Sequence, residues 1–162
     1  MVKNGLNRPR LASTLLFAVV IAALGAGTAL AAGSSGELFI QGASAESFAQ
    51  TVGSLKRAVS RNGMMVMGHL DQKKALSMTG LELAGAETFF VGNPVVGKKL
   101  FGMSPAVGAV VPLRIYAWEA GGQAHVGYFQ PSALLAAVNP KLGMAGKMLD
   151  QKFARILADT IR

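Results

Sequence analysis

The sequence predicts a single two-layer α+β domain, with an antiparallel-dominated sheet of about five strands and helices mainly on one face. Two β-rich runs, Val107 to Trp118 and Ala124 to Phe129, flank a Gly121-Gly122 pair. This pair favours a tight hairpin because the turn positions need positive φ. Elsewhere, short strand-like runs alternate with segments of helical periodicity. The chain has no internal repeat, long linker or heptad pattern, so one domain accounts for it.

The hairpin should have two chemically different sides. With the glycines at its tip, Trp118 should lie opposite His125, and Ile115 opposite Tyr128. Strand side chains alternate between faces, so one side is aliphatic and suits a core. The other side is aromatic and partly polar, and we predict that it contacts a ligand or a second copy of the chain. It carries Arg114, Tyr116, Trp118, His125 and Phe129.

The first 32 residues read as a secretory signal peptide. Lys3, Arg8 and Arg10 form a basic start, an apolar run from Leu11 to Ala26 follows, and Ala29-Leu30-Ala31 supplies small residues for cleavage. The apolar run is short for a membrane span, which needs about 20 residues. We therefore expect cleavage near Ala31 or Ala32, a periplasmic or secreted domain over residues 33–162, and no stable membrane anchor afterwards.

The net charge and the cysteine content of the chain exclude several classes of function. The net charge is +8, and without the three basic residues of the signal thirteen basic residues face eight acidic ones, or +5. No run of Lys and Arg is interleaved with aromatic residues, so we expect no nucleic-acid partner. The chain has no Cys, which excludes disulfides, a thiolate nucleophile and Cys-linked haem.

The remaining segments follow from periodicity and from capping residues. The predicted strands are Leu38–Gln41, Met64–Asp71 and Glu87–Val91, in addition to the hairpin. The predicted helices run from Ser44 or Ser47 to about Asn62, from Gln72 to Met78, from Pro94 to about Phe101, from Pro131 to Val138, and over residues 143–161. Between the third strand and its helix, Gly92-Asn93-Pro94 predicts a structural turn in which Asn93 caps the helix and Pro94 opens it.

The two histidines are weak candidates for a metal or haem site. On a regular strand, Met65, Met67, His69 and Asp71 would share one face. Thioether and imidazole groups are soft ligands, so a copper- or haem-binding redox protein using His69 or His125 is the alternative function. The ordinary interpretation is that methionines fill irregular gaps in a core. We therefore predict no cofactor.

No catalytic constellation is visible in the sequence. There is no Gly-x-Ser-x-Gly motif and no convincing set of nucleophile, base and orienting acid. An enzyme of unknown class is a second alternative, and we favour a non-catalytic domain. Arg114 needs a partner for its charge. That partner could be an acid across a dimer interface, an anionic ligand, an aromatic ring or water.

Four segments together resemble the bacterial family called domain of unknown function 302. They are Phe48–Leu55 leading to Gly63, Phe90–Pro94, Leu113–Glu119 and Val126–Pro131. The resemblance covers roughly residues 37–138 and implies a compact α+β domain, often dimeric, with no assigned reaction. Family members often carry His after the Asp of the second strand, a position that is Gln72 here. We accordingly expect an exported homodimer that also binds a small anionic or aromatic ligand.

Overall fold

The sheet is built from five antiparallel strands, in the order β1-β5-β4-β3-β2. The computed structural model describes residues 38 to 162, and the predicted signal segment lies outside them. The strands are Phe39–Ser44 (β1), Met65–Asp71 (β2), Gly85–Gly92 (β3), Leu113–Ala120 (β4) and Gln123–Phe129 (β5). The helices are Phe48–Arg61 (α1), Gln72–Ser77 (α2), Pro94–Met103 (α3), Pro131–Val138 (α4) and Gly143–Thr160 (α5), with 3₁₀ turns at Pro105–Ala109 and Pro140–Leu142.

The hairpin lies at the centre of the sheet and has the predicted register. Ile115 pairs with Tyr128, and Trp118 pairs with His125. Gly121 and Gly122 form the turn with φ of 60° and 77°, a conformation that glycine adopts without steric cost. The predicted fold class, an antiparallel sheet with helices mainly on one face, is confirmed.

The core lies between the sheet and the helices α1 and α5. Ile115, Ala117 and Val126 of the hairpin are at most 1% exposed, which confirms the aliphatic side as a core face. Two side-chain contacts tie the helices together, because Asn62 Nδ2 donates to Asp159 Oδ2 at 3.1 Å and Lys152 Nζ donates to the Asn62 carbonyl at 3.2 Å. The α5 residues that enter the core are Leu149, Phe153, Ile156 and Leu157. No helix within residues 38 to 162 combines the length and apolar character that crossing a bilayer requires.

The segment before the hairpin is not extended as predicted. Val107 to Ala109 belong to a 3₁₀ turn that opens at Pro105, and strand β4 begins only at Leu113. Val107 is fully buried in the core. The β-branched residues of this segment therefore pack as a turn rather than pairing in the sheet, because tertiary packing overrides strand propensity.

A β-bulge changes the faces of strand β2 and makes one prediction wrong. The register shifts between Val66 and Gly68, so that His69 pairs with Phe89 while Met65 pairs with Gly92. An extra residue in a bulge breaks the alternation of side chains. His69 therefore lies on the helix side of the sheet with Phe89, and Met65 lies on the opposite side. The predicted shared face of Met65, Met67, His69 and Asp71 does not exist.

The Gly92-Asn93-Pro94 turn has the predicted geometry. Asn93 Oδ1 accepts hydrogen bonds from the backbone N–H groups of Val95 at 2.9 Å and Val96 at 3.2 Å. Its Nδ2 donates to the Gly63 carbonyl at 2.9 Å, which ties the start of α3 to the end of α1. Pro94 occupies the first turn of α3. Asn93 therefore acts both as a helix cap and as a link between two helices.

Replacing Asn93 by alanine should lower the free energy of unfolding by about 1 to 2 kcal/mol, because the cap and the link are lost together. Asn93→Asp is the matched control, since its carboxylate keeps the acceptor of the cap and loses only the donor to Gly63. Chemical denaturation of both variants measures the difference. Equal stability of wild type and Asn93→Ala would contradict the capping role.

Tyr128 provides a pH-dependent contribution to stability. Burial, and secondarily the Asp150 carboxylate, raises the pKa of Tyr128 from 10.0 to about 12. The folded state therefore keeps a proton that the unfolded chain begins to lose at pH 10. By linkage, this contribution is complete below the unfolded pKa and is lost as pH rises through the folded pKa.

Tyr128→Phe should therefore flatten the fall in stability between pH 10 and pH 12, measured by denaturant titration at several pH values. The comparison of slopes isolates Tyr128, because every other ionisable group is common to both proteins. Parallel slopes for wild type and variant would show that the phenol does not contribute.

Candidate functional site

The side of the sheet away from α1 and α5 forms a continuous surface that we call the open face. Cross-strand pairs place Phe39 beside Phe129, Tyr116 beside Gly127, Thr88 beside Tyr116, and Phe90 beside Arg114. All five predicted ligand or interface residues lie on this surface. The strand residues that define it in the middle of the sheet are Phe39, Thr88, Phe90, Arg114, Tyr116, Trp118, His125, Gly127 and Phe129.

Aromatic rings on the open face stack in a row. The ring of Trp118 lies parallel to Tyr116, with centroids 5.3 Å apart, and to His125, with centroids 5.1 Å apart. Phe39 contacts both Trp118 at 6.2 Å and Phe129 at 5.2 Å. Phe129 remains 44% exposed. Mutual stacking fixes the rings while one side of the row stays accessible, which is typical of a binding surface rather than a core.

Gly127 makes room for Phe39, a residue that sequence reasoning did not assign to the site. A Cβ atom at Gly127 would lie 2.6 Å from Cζ of Phe39, so the ring can rest over the strand only because residue 127 is glycine. A glycine inside a strand often marks such a close approach. The glycine in the pattern His-Val-Gly-Tyr-Phe indicates a close approach at this position. Only the pairing of β1 with β5 shows that Phe39 is the residue that approaches.

Two adjoining depressions cross the open face, each of about 290 Å³, and both are lined by Arg114 and Phe129. One depression continues over Phe39, Gln72, Thr88 and Tyr116, and we call it the Tyr116 depression. The other, which we call the Leu134 depression, continues towards the chain between β3 and β4 and towards α4, and its further side chains are Phe90, Val110, Val111, Pro112 and Leu134. Arg114 thus lies between two depressions that each expose both polar and apolar surface.

Among residues 38 to 162, Arg114 has no acidic neighbour on the open face. It takes part in no ion pair with residues 38 to 162, where the salt bridges join His69 to Glu87 and Arg162 to Asp159. The strand acids Asp71, Glu87 and Glu119 lie on the helix side, since they pair with one another or with core residues. The Arg114 side chain is exposed. An anion can therefore approach it without displacing an internal partner.

Gln72, the first residue of helix α2, lines the Tyr116 depression on the side of the sheet away from α1 and α5. It donates a hydrogen bond from Nε2 to Oγ1 of Thr88 on the open face. Gln72 Oε1 is buried without a hydrogen-bond partner within the described chain. Asp71 caps the helix by accepting from the Lys74 N–H at 2.8 Å. The position where family members often carry His therefore lies at the edge of this depression.

The two histidines lie on opposite faces of the sheet and do not form a joint site. His69 is on the helix side of the sheet, where Nε2 lies 3.0 Å from Glu87 Oε2 and the ring stacks on Phe89 at 5.4 Å. His125 is on the open face against Trp118. Within residues 38 to 162 no three His, Cys, Asp or Glu side chains are grouped so that they could hold a metal. The shared-face reasoning that suggested a soft-metal site is wrong, because the bulge separates His69 from Met65.

Fold and site together define an α+β domain with a half-covered sheet and a cationic, aromatic open face. The chain matches the family described as Domain of unknown function DUF302 over residues 40–160. It belongs to this family.

A crystal structure of an uncharacterized conserved protein DUF302 from Bacillus stearothermophilus has the same fold. The TM-score is 0.71 at 19% identity, over 77% of this chain and 98% of that one. No curated protein matches the chain.

Proposed function

We propose that this chain is a non-catalytic binding domain that holds a small organic anion on its open face. The single observation that carries the proposal is Arg114, an exposed cation that lies between two depressions and beside stacked aromatic rings, with no acidic neighbour in the described part of the chain. A guanidinium offers several donors in a plane and suits a carboxylate. The surrounding rings supply the apolar contact that a small ligand also needs.

Charge favours an anionic ligand over a second copy as the partner of Arg114. In a symmetric dimer the same patch meets itself. The strand residues of the open face between positions 38 and 162 include no acid, so a second open face would bring another arginine and no counter-charge. Like charges at a close interface are unfavourable. An anion supplies the missing charge directly.

The groups around the depressions suit binding more than chemistry. Their side chains offer an arginine, a glutamine amide, a threonine hydroxyl and the Tyr116 hydroxyl, with no His, Asp, Glu, Lys or Cys among them. General acid and base catalysis at neutral pH most often uses His and the other groups of the latter kinds, and among the lining side chains Tyr116 alone could take such a role. We therefore propose a binding role for this domain rather than a catalytic one.

We place the domain in the periplasm or outside the cell, on the basis of the basic and apolar start of the sequence. Amino-terminal sequencing of the exported protein should begin at Ala32 or Gly33. A mature chain that still begins at Met1 would contradict export.

Self-association is the second candidate function, favoured by exposed apolar side chains beyond the aromatic row. Phe129 is 44% exposed, Leu70 47% and Met65 53%, and cross-strand pairing places all three on the open side of the sheet. Monomers rarely keep large apolar patches in water. A homodimer through this surface would cover them, but its two Arg114 side chains would still need anions.

Arg114→Gln should weaken binding of benzoate and hexanoate by about 10- to 100-fold, because a hydrogen-bonded charge pair is lost. Trp118 is the single tryptophan of the chain and stacks on Tyr116, which lines the Tyr116 depression. Quenching of its fluorescence therefore reports binding at this surface.

The matched control is Arg155→Gln, which removes the same charge from an exposed position on α5 and should leave binding unchanged. An equal loss of affinity in both variants would mean that the effect comes from the overall charge of the protein. Equal affinity of wild type and Arg114→Gln would refute the proposal.

A further inference from the structure

We infer that the ligand of the open face is an aromatic monocarboxylate, whose ring stacks on Tyr116 and whose carboxylate binds Arg114. This inference rests on the proposed function and specifies the class of ligand and its place in the same site. It follows from the row of stacked rings, which ends at the Tyr116 depression, next to the Arg114 side chain.

The stack of parallel rings has one open end. His125 and Trp118 are cross-strand partners whose rings are 15° from parallel, and the rings of Trp118 and Tyr116 are 9° from parallel. On strand β4, Trp118 follows Tyr116 by two positions and Arg114 precedes it by two, so the three side chains lie in line on one face. Trp118 therefore covers one side of the Tyr116 ring, and the other side is directed towards Arg114.

The second side of the Tyr116 ring is not covered by the described part of the chain. Within residues 38 to 162, the aromatic ring that contacts Tyr116 is that of Trp118 alone. In the same residues the cation that lies over a ring is Lys56, on Phe89, so Arg114 does not cover Tyr116. The space between Arg114 and Tyr116 belongs to the Tyr116 depression, which both residues line. A ligand ring placed there becomes the next member of the stack.

The other walls of the Tyr116 depression suit a flat aromatic ring. Phe39 and Phe129 lie with centroids 5.2 Å apart and form the wall on the side of β1 and β5. Thr88 and Gln72 line the side of β3 with a hydroxyl and an amide. An aromatic ring has a negative face and a positive edge. Its face can therefore pack against the neighbouring rings while its edge lies beside polar oxygen atoms, whereas a saturated chain has no such charge distribution.

The size and charge of the depression favour a ligand with one ring and one acid group. Its volume of about 290 Å³ is small, since ligand pockets usually measure about 300 to 1,000 Å³. Among the described residues that line it, Arg114 is the only cation. One planar guanidinium matches one carboxylate by two parallel hydrogen bonds. A single carboxylate attached to a single ring, as in benzoate, therefore meets both the charge and the stack.

The test is a calorimetric titration of the wild-type protein with two matched pairs of acids, benzoate with cyclohexanecarboxylate and phenylacetate with cyclohexylacetate. The members of a pair have the same charge, and the saturated ring exposes at least as much apolar surface. Hydrophobic burial alone therefore gives the aromatic acids no advantage. Stacking should make each aromatic acid bind about 2- to 10-fold more tightly than its saturated partner. Benzyl alcohol, which has the ring without the charge, should bind about tenfold more weakly than benzoate.

Three variants localise the ring. Tyr116→Leu removes the aromatic partner, so the aromatic and saturated acids should bind equally, and both should still depend on Arg114. Tyr116→Phe keeps the ring and should keep the preference. Phe101→Leu is the matched control, because Phe101 is 45% exposed on α3 and lines neither depression, and it should leave every affinity unchanged. The matched acids are decisive on the wild type alone, so the test does not depend on the folding of Tyr116→Leu.

The outcomes separate this inference from the function on which it rests. If each saturated acid binds as tightly as its aromatic partner and both depend on Arg114, the anion site stands and the aromatic ligand is refuted. If the aromatic preference persists in Tyr116→Leu, the ring does not stack on Tyr116 and its placement is refuted. If no carboxylate binds, the proposed function itself fails.

Discussion

Replacing Ile115 by alanine should lower the free energy of unfolding by about 2 to 5 kcal/mol, whereas replacing Trp118 should mainly abolish binding. The two residues lie on the same strand, three positions apart and on opposite faces. Ile115 is 1% exposed and packs in the core, so its truncation leaves a cavity. Trp118 belongs to the open face, and its removal should weaken ligand binding or self-association by about 2 kcal/mol or more.

Calorimetric titration and sedimentation of both variants decide whether the open face is part of the core or a binding surface. The account predicts a stable Trp118→Ala protein with impaired binding or assembly, and an Ile115→Ala protein that is less stable but binds normally at low temperature. A Trp118→Ala protein that unfolds while its binding and assembly remain intact would show that the open face is simply core.

A second large effect is expected at Gly146, where α5 passes α4. A Cβ atom at this position would lie 2.4 Å from Cα of Ser132, a backbone atom that cannot turn aside. The same contact region includes a hydrogen bond of 2.8 Å from the Ser132 N–H to Asp150 Oδ1. Gly146→Ala should therefore destabilise the protein by about 2 kcal/mol, despite the better helix propensity of alanine.

Gly102→Ala is the matched control, because it also adds one methyl group to a helix but meets nothing within 4 Å. It should leave stability unchanged or raise it by up to about 1 kcal/mol. Thermal unfolding of the two variants compares them directly. Similar melting temperatures would mean that α4 and α5 are not held at the observed separation, and the position of Leu134 would then lose its support.

The hairpin and its two faces could be predicted because their signals are local. Gly121-Gly122 sets the turn, the turn sets the register, and strand alternation then assigns Arg114 and Trp118 to one side. The Asn93 cap is equally local, since its acceptor binds backbone groups two and three residues ahead. Each of these features depends on a few neighbouring residues.

The rest of the site depends on contacts between distant parts of the chain. Phe39 reaches the row of rings only through the pairing of β1 with β5. Gln72 reaches Thr88 on the open face only because of the way α2 follows β2. Leu134 and Val110 line the Leu134 depression from segments on either side of the hairpin. The bulge that turns His69 to the other face lies at Gly68, and a glycine inside a strand often marks a bulge, but hydrophobic periodicity alone does not locate the shift. Sequence reasoning therefore identified the surface but not the depressions in it.

The central claim is that the open face binds a small carboxylate at Arg114, and chemical-shift mapping tests it most directly. The isotope-labelled protein is titrated with hexanoate while its amide and methyl signals are followed. The account predicts that the largest shifts cluster at Arg114, Tyr116, Gly127 and Leu134, and that Arg114→Gln removes them. Shifts confined to the outer surfaces of α1 and α5, or shifts that persist in Arg114→Gln, would contradict it.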